Sequence, residues 1–347
     1  MDIIPHLIDC SSQEYYANNT QTDNEWLFLA NSILYYVYPC VPAIGVFFSL
    51  LNSIVTAKMV EDSHECYLTG LNIASFLMLL TVCVTQIPHY FITPGDSVYS
   101  VVLPYLPAVE NWCWYSTTWL LLAAVAERMG LAMCGRWHAS FGRIHGILVS
   151  MLMIVICFVM TLPQYWEFTA REITDARNCS RLIITSRQSV LTSTSNAYLP
   201  EYTYYHWFLL IFSMGLPYLL LPIMLAPMCC VKMHTYSALN GGSTKYDLDL
   251  KDQRRNDRSF NRLIIVMVTL YLLMAGPRCA FRLLHNPPIS TDFCDSELFS
   301  STLSIIFDAW FYLFFIVLFF LNMCISAKFR DTLRYCCRKG DRNSYAY

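Results

Sequence analysis

Residues 112–136, WCWYSTTWLLLAAVAERMGLAMCGR, run apolar and then meet an acid and a base side by side, Glu127 and Arg128. At about 1.5 Å per helical residue, Trp112 to Arg128 spans most of the hydrocarbon thickness of a bilayer. Desolvating either charge at the end of such a helix is costly, so the pair cannot be casual packing. Six other long apolar stretches flank this one, at 26–59, 66–91, 146–166, 202–233, 261–285 and 297–324. They predict an all-α protein, a bundle of seven membrane-crossing helices. The basic run KFRDTLRYCCRK after the last stretch places Phe329, Leu333 and Cys336 on one face, which predicts a short amphipathic eighth helix.

Charge supports a membrane protein. Only 14% of the 347 residues are charged, well below the roughly 25% usual for soluble domains. The net charge of −2 says little, but its distribution is informative. No Lys or Arg precedes Lys58, whereas Asp2, Asp9, Glu14, Asp23 and Glu25 all precede or open the first stretch. With the N-terminus outside, 17 of the 23 Lys and Arg fall on the inner side, as the positive-inside rule requires. The chain starts without a basic region and short apolar core, so the first helix is expected to carry its acidic tail across by itself. The expected organisation is an extracellular tail at 1–25, the membrane domain at 26–324, and an amphipathic helix with a cytoplasmic tail at 325–347. The link VEDSHE between the first two stretches is unusually acidic for an inner loop, and 234–261 reads as a polar, basic loop.

Most of the 15 Cys lie inside apolar stretches and act as small hydrophobes. Cys10, Cys179 and Cys294 fall outside, where oxidation is possible. Sequons at Asn18 and Asn178 suit glycosylation on exterior segments. Pro217, Pro222 and Pro227 would break a soluble helix, but a membrane bundle re-satisfies the freed backbone groups. There is no phosphate loop, no nucleophile elbow and no metal-ligand spacing, so neither an enzyme nor a cofactor protein is expected, and nothing suggests nucleic acid. The aromatic clusters read as interfacial belts and wall lining.

Three charged residues sit within the outer half of apolar runs. Asp308 lies in the seventh stretch, and Arg278 and Arg282 lie one turn apart on the sixth. An intramembrane acid marks a functional site by default. Either Asp308 bridges to one of these arginines, or the three line a mixed-charge ligand pocket with Gln86 and His89. The two readings are compatible.

Seven stretches with Glu127-Arg128-Met129 at the foot of the third, Pro277 in the sixth and Pro217 in the fifth resemble a rhodopsin-like (class A) G-protein-coupled receptor. The similarity covers 31–337 and is greatest to invertebrate neuropeptide receptors of the FMRFamide type. It implies a plasma-membrane receptor that passes binding of an extracellular ligand, a peptide, to a heterotrimeric G protein. It further implies that Arg128 couples to the G protein, that Asp257 can bridge to it, that the sixth helix swings at Pro277, and that lipid acylates Cys336 and Cys337. Without the bridge, Asp257 neutralises Arg254 or Arg258. The chain departs from the family pattern at Ser49 and Ser75, where the family has Asn and Asp, at Ala275, where it has Trp, and at 318–322. A chemosensory receptor for small molecules, a receptor-like protein that signals poorly and a small transporter are the rival readings, although a transporter should show repeated halves.

Overall fold

A computed structural model describes residues 38–60, 63–86, 101–134, 142–174, 180–186, 200–230, 244–284 and 297–344. The chain is almost entirely helical. Its helices are α1 (Tyr38–Met59), α2 (Ser63–Gln86), α3 (Leu106–Cys134), α4 (Arg143–Thr161), α5 (Pro200–Leu210), α6 (Leu216–Cys230), α7 (Thr244–Leu284), α8 (Glu297–Ile325) and α9 (Ala327–Ser344). Among the described residues, six helical spans are long and apolar enough to cross a membrane: Tyr38–Met59, Ser63–Thr85, Arg143–Trp166, Trp207–Met228, Ser259–Leu283 and Leu303–Ile325. This is the architecture of a multi-pass membrane protein.

The surfaces are arranged for lipid. On α4, Ile144, Leu148, Met151, Leu152, Val155 and Val159 point out of the bundle, while Gly146, Ser150, Cys157 and Thr161 are buried. In water this would be inverted, because the apolar face would drive burial. α3 is the exception that explains itself. It packs against α2, α4, α6 and α7, with Trp114, Ser116, Thr117 and Thr118 all buried. A helix enclosed by other helices needs no aliphatic outer face, so its hydroxyl and aromatic residues are tolerated. The buried hydroxyls donate to their own helix: Thr117 Oγ1 to Cys113 O at 2.9 Å and Thr118 Oγ1 to Trp114 O at 3.0 Å.

Several boundaries differ from the sequence expectation. α3 starts at Leu106, six residues before Trp112, with Pro107 in its first turn, where a missing N–H costs nothing. The expected loop at 234–261 is helical from Thr244, so α7 runs 41 residues. No Gly or Pro occurs between Thr244 and Ala275, so nothing in the polar stretch ends the helix. The stretch at 202–233 is split by a π-helical turn at Ile211–Gly215. Pro217 cannot donate to the carbonyl of Ser213, and the wider turn just before it accommodates that loss. The stretch at 146–166 likewise ends at Thr161, and a single turn at Gln164–Glu167 follows Pro163.

The all-α expectation is amended by one hairpin in the long polar segment. Strands β1 (Phe168–Thr174) and β2 (Ser180–Ser186) pair antiparallel, with Phe168 opposite Ser186 and Thr174 opposite Ser180. Their Thr and Ile residues favour extended backbone. Asn18, Asn178, His89, Cys10, Cys179 and Cys294 lie outside the described residues.

α9 folds back against α1 and α8. The Ser326 hydroxyl accepts from Phe329 N at 3.2 Å, which caps the start of α9. Phe329 is buried with Val55, Met59 and Phe319, and Leu333 packs beside them. Arg330 donates to the terminal carbonyls of α8, Met323 O and Cys324 O, both at 2.9 Å.

α4 approaches α2 through Gly146. A Cβ there would meet the Cα and O atoms of Ser63 at 2.6 Å, whereas one at Gly276 would meet nothing within 4 Å. Gly146→Ala is therefore expected to destabilise by about 1–3 kcal/mol and Gly276→Ala to be neutral. Thermal unfolding in detergent checks both, and equal melting of Gly146→Ala and the parent would sink the close approach.

Candidate functional site

The N-terminal ends of α3 and α8 and the C-terminal end of α7 converge on Arg278, which is 1% exposed. Its Nη2 lies 2.6 Å from Glu110 Oε1, and its Nε lies 2.5 Å from Asp308 Oδ1. Tyr312 adds a second donor to Glu110 Oε1 at 3.0 Å. Aromatic faces complete the cage: the guanidinium carbon is 4.3 Å from the Trp114 ring, 4.8 Å from Phe311 and 5.3 Å from Tyr312. A desolvated guanidinium over such a ring gains about 2 kcal/mol or more, and the two carboxylates supply the counter-charge that a buried cation needs. The expected Asp308–Arg278 bridge is present. Glu110, the second acid, was not foreseen from sequence.

Arg282 sits one turn further out and is half-buried. Its guanidinium carbon lies 4.7 Å from the Trp114 ring, and its Nη1 donates to Asn111 Oδ1 at 3.2 Å. Asn111 is oriented by its own amide, which donates to Gln164 Oε1 at 3.1 Å. Gln86 ends α2 and His89 lies beyond it, so their expected place in the pocket wall falls outside what the side-chain positions describe.

Below this cluster, a chain of contacts runs inward. Trp114 Nε1 donates to Tyr271 OH at 3.3 Å, and Thr118 Oγ1 is 2.5 Å from the same hydroxyl. Tyr271 faces Tyr218 on α6 with ring centroids 5.9 Å apart. The Arg278 cage thus reaches the proline-rich helix through two aromatic residues.

The middle of the bundle holds a polar network that sequence reasoning missed. Asn52 donates to Asn72 Oδ1 at 2.9 Å, Asn322 donates to Asn52 Oδ1 at 2.9 Å, and Asn72 donates to Thr56 Oγ1 at 3.3 Å. All four residues are buried. Ser49 and Ser75 instead reside beside it, with Ser75 Oγ donating to its own helix at Leu71 O, 2.7 Å away. The available signal was an Asn inside an apolar run, which in lipid finds a partner helix. For Glu110 the signal was Pro107, a helix-start residue that extends α3 outward past the apolar run.

Toward the C-terminal end of α3, Arg128 is 3% exposed, with its guanidinium carbon 4.4 Å from the Phe260 ring of α7. His64 packs on the same ring, centroids 4.2 Å apart. Glu127 accepts from Ser63 Oγ at 2.5 Å, which ties α3 to α2. Lys328 of α9 donates to Glu65 Oε1 at 2.7 Å, which accounts for one acid of the VEDSHE link. Asp257 and Pro277 both lie within α7, but the Asp257 side chain is outside the description. Cys336 is half-buried with its Sγ 3.3 Å from Lys58 Nζ, and Cys337 follows it on α9.

Comparison with known proteins finds no matching family model and no matching curated sequence. Function is therefore read from the geometry.

Breaking a buried charge pair by removing one partner costs about 3–5 kcal/mol. Arg278→Gln should destabilise by that order because it strands Glu110 and Asp308 together. Adding Asp308→Asn should restore part of the loss, since the two residues are in contact. Denaturation of the single and double variants in nanodiscs measures the coupling, and strictly additive losses would count against the pair.

Proposed function

We propose that this chain is a rhodopsin-like G-protein-coupled receptor of the plasma membrane, with its N-terminus outside, that passes binding of an extracellular ligand to a heterotrimeric G protein. The ligand expected from the resemblance is a peptide. In this reading α3 is the third of seven spans, added to the six apolar ones, and α9 is an eighth helix along the inner leaflet with Cys336 and Cys337 as lipid anchors. The observation that carries the reading is Arg128. It is a buried cation at one end of the central helix, roughly 27 Å from Glu110 at the other, and it touches α7.

The mechanism follows from which helices are shared. α3, α7 and α8 build the outer cluster, and α3 and α7 also meet at Arg128 and Phe260. A ligand that binds one arrangement of the outer cluster better shifts the population of α7 positions. Pro277 removes a backbone hydrogen bond between the two ends of α7 and supplies the hinge. Outward displacement of the inner half of α7 carries Phe260 off Arg128 and opens that end of the bundle to a G protein. Asp257, on the same half, is a further candidate for holding Arg128 in the resting arrangement. Gln86, His89, Arg278, Arg282 and Asp308 are the proposed ligand-side residues. Nothing in this scheme calls on a cofactor.

A peptide library screened on expressing cells with calcium and cAMP readouts tests the reading. Arg128→Ala should abolish any response at matched surface expression, and a retained response would remove the coupling role. For topology, an epitope tag at the N-terminus should stain on intact cells, and one between Gly241 and Gly242 only after permeabilisation. Staining of the internal tag on intact cells would overturn the orientation.

A further inference from the structure

The charge of Arg282 reaches Glu110 and Asp308 only from farther off, whereas both acids contact Arg278 directly. Glu110 and Asp308 each place an oxygen within 2.6 Å of that single guanidinium. Arg278, at 1% exposure, has no water to turn to if either acid is taken away. A cationic ligand group would therefore have to strand a buried charge in order to pair with Asp308 or Glu110. Arg282 stands differently. Among the described residues no carboxylate pairs with it, and its one hydrogen bond goes to a neutral side-chain carbonyl, Asn111 Oδ1 at 3.2 Å. Its Nε, like Nη1 of Arg278, is buried without a hydrogen-bond acceptor.

That carbonyl offers a single acceptor, whereas a carboxylate can take the planar fork in two parallel bonds. The Trp114 face beneath Arg282, 4.7 Å from its guanidinium carbon, fixes the plane of the fork. Asn111 keeps its amide bonded to Gln164 Oε1 at 3.1 Å, so it retains a partner when its carbonyl gives up Arg282. The cluster is also reachable. Glu110 and Asp308 keep 17% and 13% of their side-chain surface open, and Arg282 is only half-buried.

We infer that the ligand of this site is anionic: it presents a carboxylate to the guanidinium fork of Arg282, displacing Asn111 Oδ1, while Glu110, Arg278 and Asp308 stay closed on one another beneath it. Arg278 is then a positioning residue, and Arg282 is the specificity-determining contact. The inference rests on the receptor reading only for which face meets the ligand. A carboxylate can come from a small organic acid or from the free end of a peptide. It cannot come from an amidated peptide end, so an amidated ligand would need an acidic side chain.

The test uses the purified full-length chain in nanodiscs without a G protein, so that a failure to signal and a failure to bind are separate results. The probes are N-acetyl-phenylalanine, its neutral amide and phenethylamine, with binding followed by thermal shift and by saturation-transfer NMR. The acid is expected to bind about tenfold or more tightly than either of the others. Arg282→Gln should erase that preference. Arg282→Lys, which keeps the charge and loses the planar fork, should retain part of it and shows that the site still folds. An octapeptide ending in phenylalanine with a free carboxylate separates the sources. Tighter binding than N-acetyl-phenylalanine points to a peptide end and equal binding to a small acid, and either upholds the anion. Equal or better binding of the amide or the amine overturns the inference. So does a preference that survives Arg282→Gln, or no binding of any probe at millimolar concentration.

Discussion

The burial of the Arg278 guanidinium is the constraint around which the outer half of this protein is arranged. A cation at 1% exposure needs counter-charge, and α7 has none within reach. The nearest acids come from α3 and α8. Holding Glu110 and Asp308 on one guanidinium therefore fixes the rotation of three helices about their own axes. Trp114, Phe311 and Tyr312 fill the remaining directions and exclude water, which strengthens the ionic contacts they surround. The aromatic richness of the third and seventh apolar stretches thus has a local cause. It is the wall around a charge.

In lipid the hydrophobic effect does not draw helices together, because a leucine is as well solvated by acyl chains as by another helix. What draws them together here is close approach and polar contact. Gly146 allows α4 to lie directly on the start of α2. Asn52, Asn72 and Asn322 join α1, α2 and α8 through side-chain amides that have no better partner in a bilayer. Ser63 with Glu127 and Glu65 with Lys328 do the same at the inner end. α3 is central because it carries polar and aromatic contacts along its length, through Glu110, Trp114, Thr118, Glu127 and Arg128.

For the proposed receptor, this layering gives a physical route between the two faces. Arg278 lies over Trp114, Trp114 bonds to Tyr271, and Tyr271 stacks toward Tyr218 just past the π turn of the fifth membrane span. Each link is a packed or hydrogen-bonded contact, so movement at the outer cluster cannot leave α6 and α7 unaffected. The position before Pro277 carries Ala275 and Gly276, not a large ring. The ring at the helix crossing is supplied by α3 instead, as Trp114.

The helical class, six of the seven long apolar stretches and the charged residues within them were legible from hydropathy and residue spacing, because those depend on each segment's own composition. The bridge between Asp308 and Arg278 could be anticipated because so few partners exist for a charge at that depth. Other features were not legible. α7 extends inward to Thr244 because helix continuation in a polar segment depends on the absence of a breaker and not on hydropathy. Glu110 was hidden because an apolar run marks where lipid begins, not where a helix begins. The network of Asn52, Asn72 and Asn322 could not be paired from sequence, because in a lipid-embedded bundle both lipid-facing and protein-facing surfaces are apolar and the periodic contrast that reveals a helix's rotation is faint. The sequence by itself determined which segments are long and apolar enough to cross a membrane and which charges they hold. Only the tertiary structure decided which helix faces meet, because contacts between residues 168 to 270 positions apart depend on how helices rotate and cross, and no local pattern encodes that.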